Sequence, residues 1–343
     1  MGKDFTVRVL TEAEYEEWDQ LVETSPTGTA YNTSWWVGTL ARLTGAQMEI
    51  VGCFKDGILS GGCAAYIRRW GTIRRVQFPP TTPYNGFVLR VPQTPNYRRQ
   101  VLHYLSVTEA IAECMEDRYD EIRLRHHFGV SDVRSLTWRG WTSSANYTYV
   151  VSTGPFDALL SQCSSSTKRG ITRARKAGLT SEECDDLSLF MPLYEKTYQK
   201  QGLQIPFHYE GLNALFQAGR DRNAARLYVT RDPDGHVLSG LVQLVCGAHA
   251  NTWVLASDPE RLRDGVATCT QLYSFSRYSE QVQYVDDASA NIENLHQNAI
   301  RLGGELQPVF GTYLCNSAAL QVRHGLRGAA QGVKQLVSRR RSQ

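Results

Sequence analysis

The chain repeats itself, and the repeat limits what it can fold into. Residues 49–69 read EIVGCFKDGILSGGCAAYIRR, and residues 226–247 read RLYVTRDPDGHVLSGLVQLVCG. Each has a β-rich run, a polar turn and a second alternating run through Leu-Ser-Gly, at 59–61 and again 179 residues later at 238–240. Asp-Gly between two such runs signals a β-hairpin. Ahead of each hairpin stands a helical, aromatic-bearing stretch, YNTSWWVGTLARLTG or FHYEGLNALFQAG, closed by a glycine that suits a helix C-terminus. After each hairpin come a helix, a strand, a short helix with glycine, and a closing β run. Each half therefore reads helix, hairpin, helix, strand, helix, strand, which predicts two copies of one α/β unit.

A chain of 343 residues is long enough for two such domains. The order divides it into an N-terminal domain over 1–153, a basic connecting helix over 154–180, a C-terminal domain over 181–315 and a basic tail over 316–343. A net charge of +3 excludes nucleic-acid binding driven by bulk charge. The eight cysteines are scattered, without zinc spacing, and read as reduced, buried hydrophobes. No run is long and apolar enough for a membrane span, and the N-terminus has no apolar signal core. The chain reads as cytoplasmic, with its basic, weakly amphipathic tail either a frayed helix or a peripheral contact with anionic lipid at the inner membrane face.

Charge is concentrated in SSSTKRGITRARKAGLTSEE, where Lys168, Arg169, Arg173, Arg175 and Lys176 lie within nine positions and no acid separates them. At helical spacing Arg169, Arg173 and Lys176 share a face. That face suits a diphosphate or an RNA backbone, and equally a solvated connector. Asp286 and Asp287 end the β run VQY, a position from which a carboxylate can take a proton from an amine; capping of the next helix is the alternative. Tyr313 is a candidate proton donor, and Tyr84 and Trp253 are candidate cleft-lining residues, with a plain core role open to each. Trp35 and Trp36 are expected to staple their helix to the first copy's sheet. His126 and His127 are adjacent, so on a strand they face apart, and no metal site is expected.

The order of elements resembles the GNAT acyltransferase fold in duplicate, and the basic helix between the copies resembles that of the FemAB-type peptidyltransferases. The stretches that carry the resemblance are SSSTKRGITRARKAGL, LYEKTYQKQGLQIPFHYEGL, WVLASDPERLRDGVATCTQLYSFSRYSE, YVDDASANIENLHQNAIRLGGELQPVFGTY and, in the first copy, FPPTTPYNGFVL. It implies an α/β (α+β) fold of two tandem GNAT-like domains, each a mixed, mostly antiparallel sheet flanked by helices. It implies N-acyl transfer to an amine of a phosphorylated small-molecule or lipid-linked acceptor, such as a cell-envelope or polysaccharide precursor. The donor is acyl-CoA as a co-substrate or aminoacyl-tRNA, and no cofactor is tightly bound. Trp253, Ser257, Arg263, Gly265 and Ala267 would hold the donor, with Gly265 and Ala267 matching the family's phosphate loop and Leu262 departing from it. Lys168, Arg169, Arg173, Lys176 and Tyr84 would hold phosphate or acceptor in a cleft between the copies, and Asp286, Asp287 and Tyr313 would serve the chemistry. Asn298 and Ala299 stand where the family carries Phe-Lys, which favours acyl-CoA over aminoacyl-tRNA. The same departure leaves open a binding protein for a nucleotide-sugar or nucleic-acid ligand that has kept the fold and lost the chemistry.

Overall fold

A computed structural model of the chain describes residues 5–322, apart from 279, 293 and 294. The strands are β1 (Phe5–Val9), β2 (Gln47–Lys55), β3 (Ile58–Trp70), β4 (Ile73–Val76), β5 (Val88–Leu89), β6 (Glu121–Arg125), β7 (Thr142–Ser152), β8 (Thr180–Cys184), β9 (Ala225–Arg231), β10 (Val237–Cys246), β11 (His249–Ser257), β12 (Tyr284–Asp287) and β13 (Glu305–Cys315). The helices are α1 (Tyr15–Thr24), α2 (Ser34–Thr44), α3 (Tyr97–Arg118), α4 (Arg134–Trp138), α5 (Phe156–Gln162), α6 (Ser165–Lys176), α7 (Met191–Lys200), α8 (Tyr209–Arg220), α9 (Val266–Arg277) and α10 (His296–Arg301).

All thirteen strands form one sheet, ordered β1-β2-β3-β4-β6-β13-β7-β12-β11-β10-β9-β8, with the short β5 on β3. The order is a palindrome in which β1 corresponds to β8, β2 to β9, β3 to β10, β4 to β11 and β6 to β12. The only parallel pairs among the described residues, β4 with β6 and β11 with β12, occupy equivalent places. The repeated hairpins are β2–β3 and β9–β10. In the first, Asp56 and Gly57 both have positive φ, as a two-residue turn matching strand twist requires. In the second, the Asp232 carboxylate accepts from the N–H groups of Asp234 and His236.

The two copies are not separate bodies. Each half gives its last strand to the centre of the sheet, so β13 of the second half pairs with β6 of the first, and β7 of the first pairs with β12 of the second. The expected boundaries at 153 and 315 follow the chain but not the packing. Along β7 the side chains alternate between faces. One face packs on α1, α2, α7 and α8 in a core that spans both halves. The other packs on α3 and α4 in the first half and on α5, α6 and α9 in the second.

The cleft expected between the copies is filled. Trp36 meets Trp253 edge to face at 5.0 Å, and His127 stacks on His249 at 5.1 Å. Trp35 and Trp36 thus hold α2 to the second half as well as to its own sheet; Trp35 also packs beside Gly219 of α8. The tail over 323–343, with its expected lipid contact, lies outside the described residues.

Apart from the extra strand β5, the two halves differ at their divergences. Beyond their short parallel pairing, β4 and β6 diverge, and Asn85 fills the gap between them. Its Nδ2 donates to the carbonyls of Arg123 (2.9 Å) and Gln77 (3.3 Å), and its Oδ1 accepts from Arg125 N (2.8 Å). Asn85→Ala leaves these buried main-chain groups unpaired, so we expect about 2–4 kcal/mol of lost stability. The checking measurement is the shift of the urea midpoint at unchanged slope.

Candidate active site

The equivalent divergence in the second half, between β11 and β12, has no such plug among the described residues. The two strands pair at His249, Ala250 and Asn251, then separate. Just past that point β11 carries a bulge at Trp253, because Val242 opposes Val254 while Gln243 opposes Thr252. Bulges re-aim side chains and free main-chain groups, and they recur beside active sites. Buried polar atoms without partners gather here: Asn251 Oδ1, Thr252 Oγ1 and Trp253 Nε1. A sheet that leaves such atoms unpaired at one opening, after stitching its twin closed, is built to receive polar groups there.

Asp286 stands at the inner end of this opening and is 1% exposed. Its Oδ2 accepts from Tyr84 Oη at 2.7 Å and its Oδ1 from Thr148 Oγ1. Both donors come from the first half, Tyr84 from the segment that carries the Asn85 plug and Thr148 from the exchanged strand β7. Burial raises the Asp286 carboxyl to about 7 from 3.8, against the lowering effect of its two hydroxyl donors. Asp287 is also raised by burial, and its Oδ1 accepts from Ser289 N at 3.1 Å within the turn after β12; it does not cap the next helix, α10, which begins at His296 after Leu295.

On the opposite face, α9 starts without a side-chain cap after Gly265, which has φ 75°. The first-turn N–H groups of Val266, Ala267 and Thr268 have no acceptor within the helix. The basic helix α6 crosses this loop so closely that a Cβ on Gly265 would come within 2.8 Å of the Gly170 carbonyl carbon. The predicted cations divide. Arg173 Nε donates to Arg263 O at 3.0 Å, Lys168 Nζ donates to Ser161 O at 2.7 Å, and Arg175 reaches Asp157 at 3.4 Å. Among the described residues Arg169 and Lys176 have no hydrogen-bond or ion-pair partner, and both are exposed. Arg173 and Lys168 are thus engaged in holding the loop and the helix rather than free for phosphate.

The structure brings together Asp286, Asp287, Tyr84 and Trp253 at the opening, and Gly265, Ala267 and Arg263 at the start of α9. Ser257 lies at the far end of β11, with Oγ 2.8 Å from Ser239 Oγ. It does not bring Tyr313 to them. Tyr313 lies opposite Thr142 while Asp286 lies opposite Val150, eight residues along β7 or about 26 Å. Arg123 covers the Tyr313 ring at 4.8 Å, and the hydroxyl donates to Glu121 Oε1 at 3.4 Å. Sequence reasoning missed Thr148 and Asn251, and no local motif marks either. It expected Tyr84 in an anion site; the residue is instead the partner of Asp286.

Residues 161–286 match the family model for the acetyltransferase (GNAT) domain, so the C-terminal half carries the pattern of that domain. Among solved structures the chain is similar to FemX, at 15% identity over 92% of this chain and 99% of that one, with a TM-score of 0.70. It is also similar to the C-terminal domain of a putative lysylphosphatidylglycerol synthetase from Agrobacterium fabrum, at 9% identity over 93% and 96%, with a TM-score of 0.55. A third similar structure is L-PGS from Bacillus licheniformis, at 9% identity over 94% and 96%, with a TM-score of 0.52. No curated protein matches the chain in sequence. The fold is the GNAT acyltransferase fold used twice, in the arrangement shared with FemX.

The raised Asp286 carboxyl fixes the sign of a pH effect. Folding takes up a proton at this residue between its unfolded value of 3.8 and its folded value of about 7, so its contribution to stability is full below the first and lost through the second. We expect wild type to lose stability relative to Asp286→Asn by ~1.4 kcal/mol per pH unit across that window, and the difference to level off above it. Urea unfolding of both proteins at several pH values measures it.

Proposed function

We propose that the protein is an N-acyltransferase whose reaction site is the opening between β11 and β12. The observation that carries this reading is the asymmetry of the two halves: Asn85 stitches the first divergence closed, while the second keeps unpaired polar atoms, a bulged strand and a raised carboxyl. The domain match over the second half supports the same placement.

An acyl-CoA donor fits the groups present. Its diphosphate would take the free first-turn N–H groups of α9, with Arg169 and Lys176 of the adjoining helix adding charge. Its acyl arm would then enter the opening, where the edge of β11 that loses its β12 partner beyond Asn251 offers main-chain N–H groups to the carbonyl oxygen as it gains charge. The acceptor amine comes from the opposite face, the side of Asp286, Tyr84 and Thr148. Its ammonium gives up a proton, relayed through the Tyr84 or Thr148 hydroxyl to the Asp286 carboxylate. The amine lone pair attacks the carbonyl carbon, and collapse of the tetrahedral intermediate breaks the C–S bond; the departing thiolate takes the second proton from the nitrogen, leaving a neutral amide and a free thiol. Positioning the two reactants through one gap supplies much of the rate.

The acceptor in this reading is an amine on a phosphorylated cell-envelope or polysaccharide precursor. One of the structural neighbours is named a putative lysylphosphatidylglycerol synthetase, which supports an anionic, lipid-linked acceptor. An aminoacyl donor is the second option that name supports; the absence of Phe-Lys at 298–299 weighs against it.

The test is calorimetric titration with acetyl-CoA, followed by an amine-acceptor screen. Wild type should bind acetyl-CoA, and Arg169→Gln with Lys176→Gln should weaken binding about tenfold or more. Transfer should rise with pH through about 7, where Asp286 loses its proton. Asp286→Asn should lower kcat by about 100-fold or more with KM for the donor unchanged. No acetyl-CoA binding sinks the donor assignment, and binding without turnover for any amine leaves a binding protein.

A further inference from the structure

On the acyltransferase reading the acceptor arrives at Asp286 from one face of the sheet, and that face has a second feature. Where β6, β13 and β7 lie side by side, Arg125, Gly311 and Ser144 form one row across the strands, and Arg123, Tyr313 and Thr142 form the next. Opposed residues of antiparallel strands project to the same side, so these rows floor a single groove of about 230 Å³, walled by Phe78 and Asn146. Gly311 makes its lowest point. A Cβ there would stand 2.9 Å from Ser144 Oγ and 3.1 Å from Asn146 Nδ2.

The groove is rich in donors and, among the described residues, carries one free cation. Glu121, the carboxylate beside it, is held by Arg75 Nε at 2.6 Å and Arg123 Nη2 at 2.8 Å. Arg125 lies over the Phe78 ring at 5.1 Å, and its buried Nε has no partner. Among the described residues its side chain makes no hydrogen bond or ion pair. A guanidinium with its donors unspent, facing a hydroxyl and an amide across a gap without a side chain, matches the fork geometry of an oxyanion.

The same side of β7 leads from this groove to the reaction site. Ser144, Asn146 and Thr148 project alike, and Thr148 Oγ1 donates to Asp286. From Ser144 to Thr148 is about 13 Å of strand. We infer that the groove is an oxyanion subsite that holds a carboxylate or phosphate of the acceptor about 13 Å from its reacting amine. The acceptor is then an elongated molecule with an anionic group at one end and the nucleophile at the other. This subsite lies across the sheet from the start of α9, so donor and acceptor anions have separate sites.

Calorimetric titration of the full chain with inorganic phosphate and with glutarate tests the subsite, each repeated with acetyl-CoA as the control ligand. We expect at least one of the two anions to bind wild type, and Arg125→Gln to weaken it about tenfold or more. Arg125→Lys should restore part of the affinity, and Gly311→Ala, which fills the low point while leaving every charge in place, should weaken it as well. Acetyl-CoA affinity should be the same in all four proteins. Tighter phosphate or tighter glutarate each supports the subsite and identifies the acceptor's anionic group. Failure of both anions to bind wild type, or equal affinity in Arg125→Gln and wild type, overturns it. Anion binding with these responses in a protein that ignores acetyl-CoA would sink the donor assignment and leave the subsite standing.

Discussion

The exchange of β7 and β13 at the centre of the sheet is the constraint on which the rest depends. It turns two copies of a unit into one thirteen-stranded sheet with two common faces. A groove on β6, β13 and β7 and a carboxylate on β12 can share a face only because these strands are neighbours. The exchange also puts Thr148, a residue of the first half, in contact with Asp286 of the second. With Tyr84 bonded to the other oxygen, the carboxylate at the opening is oriented by a half that does not contain it. Such a site cannot be assembled by either half alone.

A duplicated fold would start with two equivalent openings, and this one has kept one. The segment after β4 closes the first with the Asn85 side chain, and one residue earlier extends Tyr84 toward the second. A single short loop therefore removes one site and completes the other. The Asn85 bonds are to main-chain groups, so the plug depends on backbone geometry more than on neighbouring side chains. The first half becomes a rigid support, and its own edge of the opening is free to carry the acceptor groove instead.

Much of the architecture was legible because hairpins and helix ends carry local signals. The Asp-Gly turn at 56–57, the glycine-closed aromatic helices and the order of elements placed α2 against α8 and the first hairpin against the second as equivalents. The exchange was not legible, since nothing local in TSSANYTYVVS or ELQPVFGTYLC tells which partner strand each will choose. The Asp286 position was readable as a carboxylate at a strand end. Its two hydroxyl partners were not, being 138 and 202 residues away in sequence. Tyr313 was drawn into the site by its residue type alone, and register along β13 puts it far off. The cations of α6 were visible as a cluster, but only packing shows that Arg173 is anchored to Arg263 O while Arg169 and Lys176 remain free.

On the acyltransferase reading, local charge lets a chain with net charge of only +3 take anionic reactants. On one face the free cations Arg169 and Lys176 stand beside an uncapped helix start. On the other, Arg125 stands without a carboxylate while its neighbour Arg123 is neutralised by Glu121. Interactions between exposed charges fade beyond a Debye length, about 8–10 Å in physiological salt, and Arg125 lies on the other face of the sheet from α6. On the acyltransferase reading each reactant would meet cations on its own face. The faces communicate where the sheet is unbonded, and at that gap the charge is a buried carboxyl poised near neutrality rather than another cation. A carboxylate between two anion sites would repel both reactants if it stayed ionised in the resting protein. Burial limits this by keeping Asp286 largely protonated below about 7, and on the acyltransferase reading it is the carboxylate formed above that value that accepts the proton of an arriving ammonium.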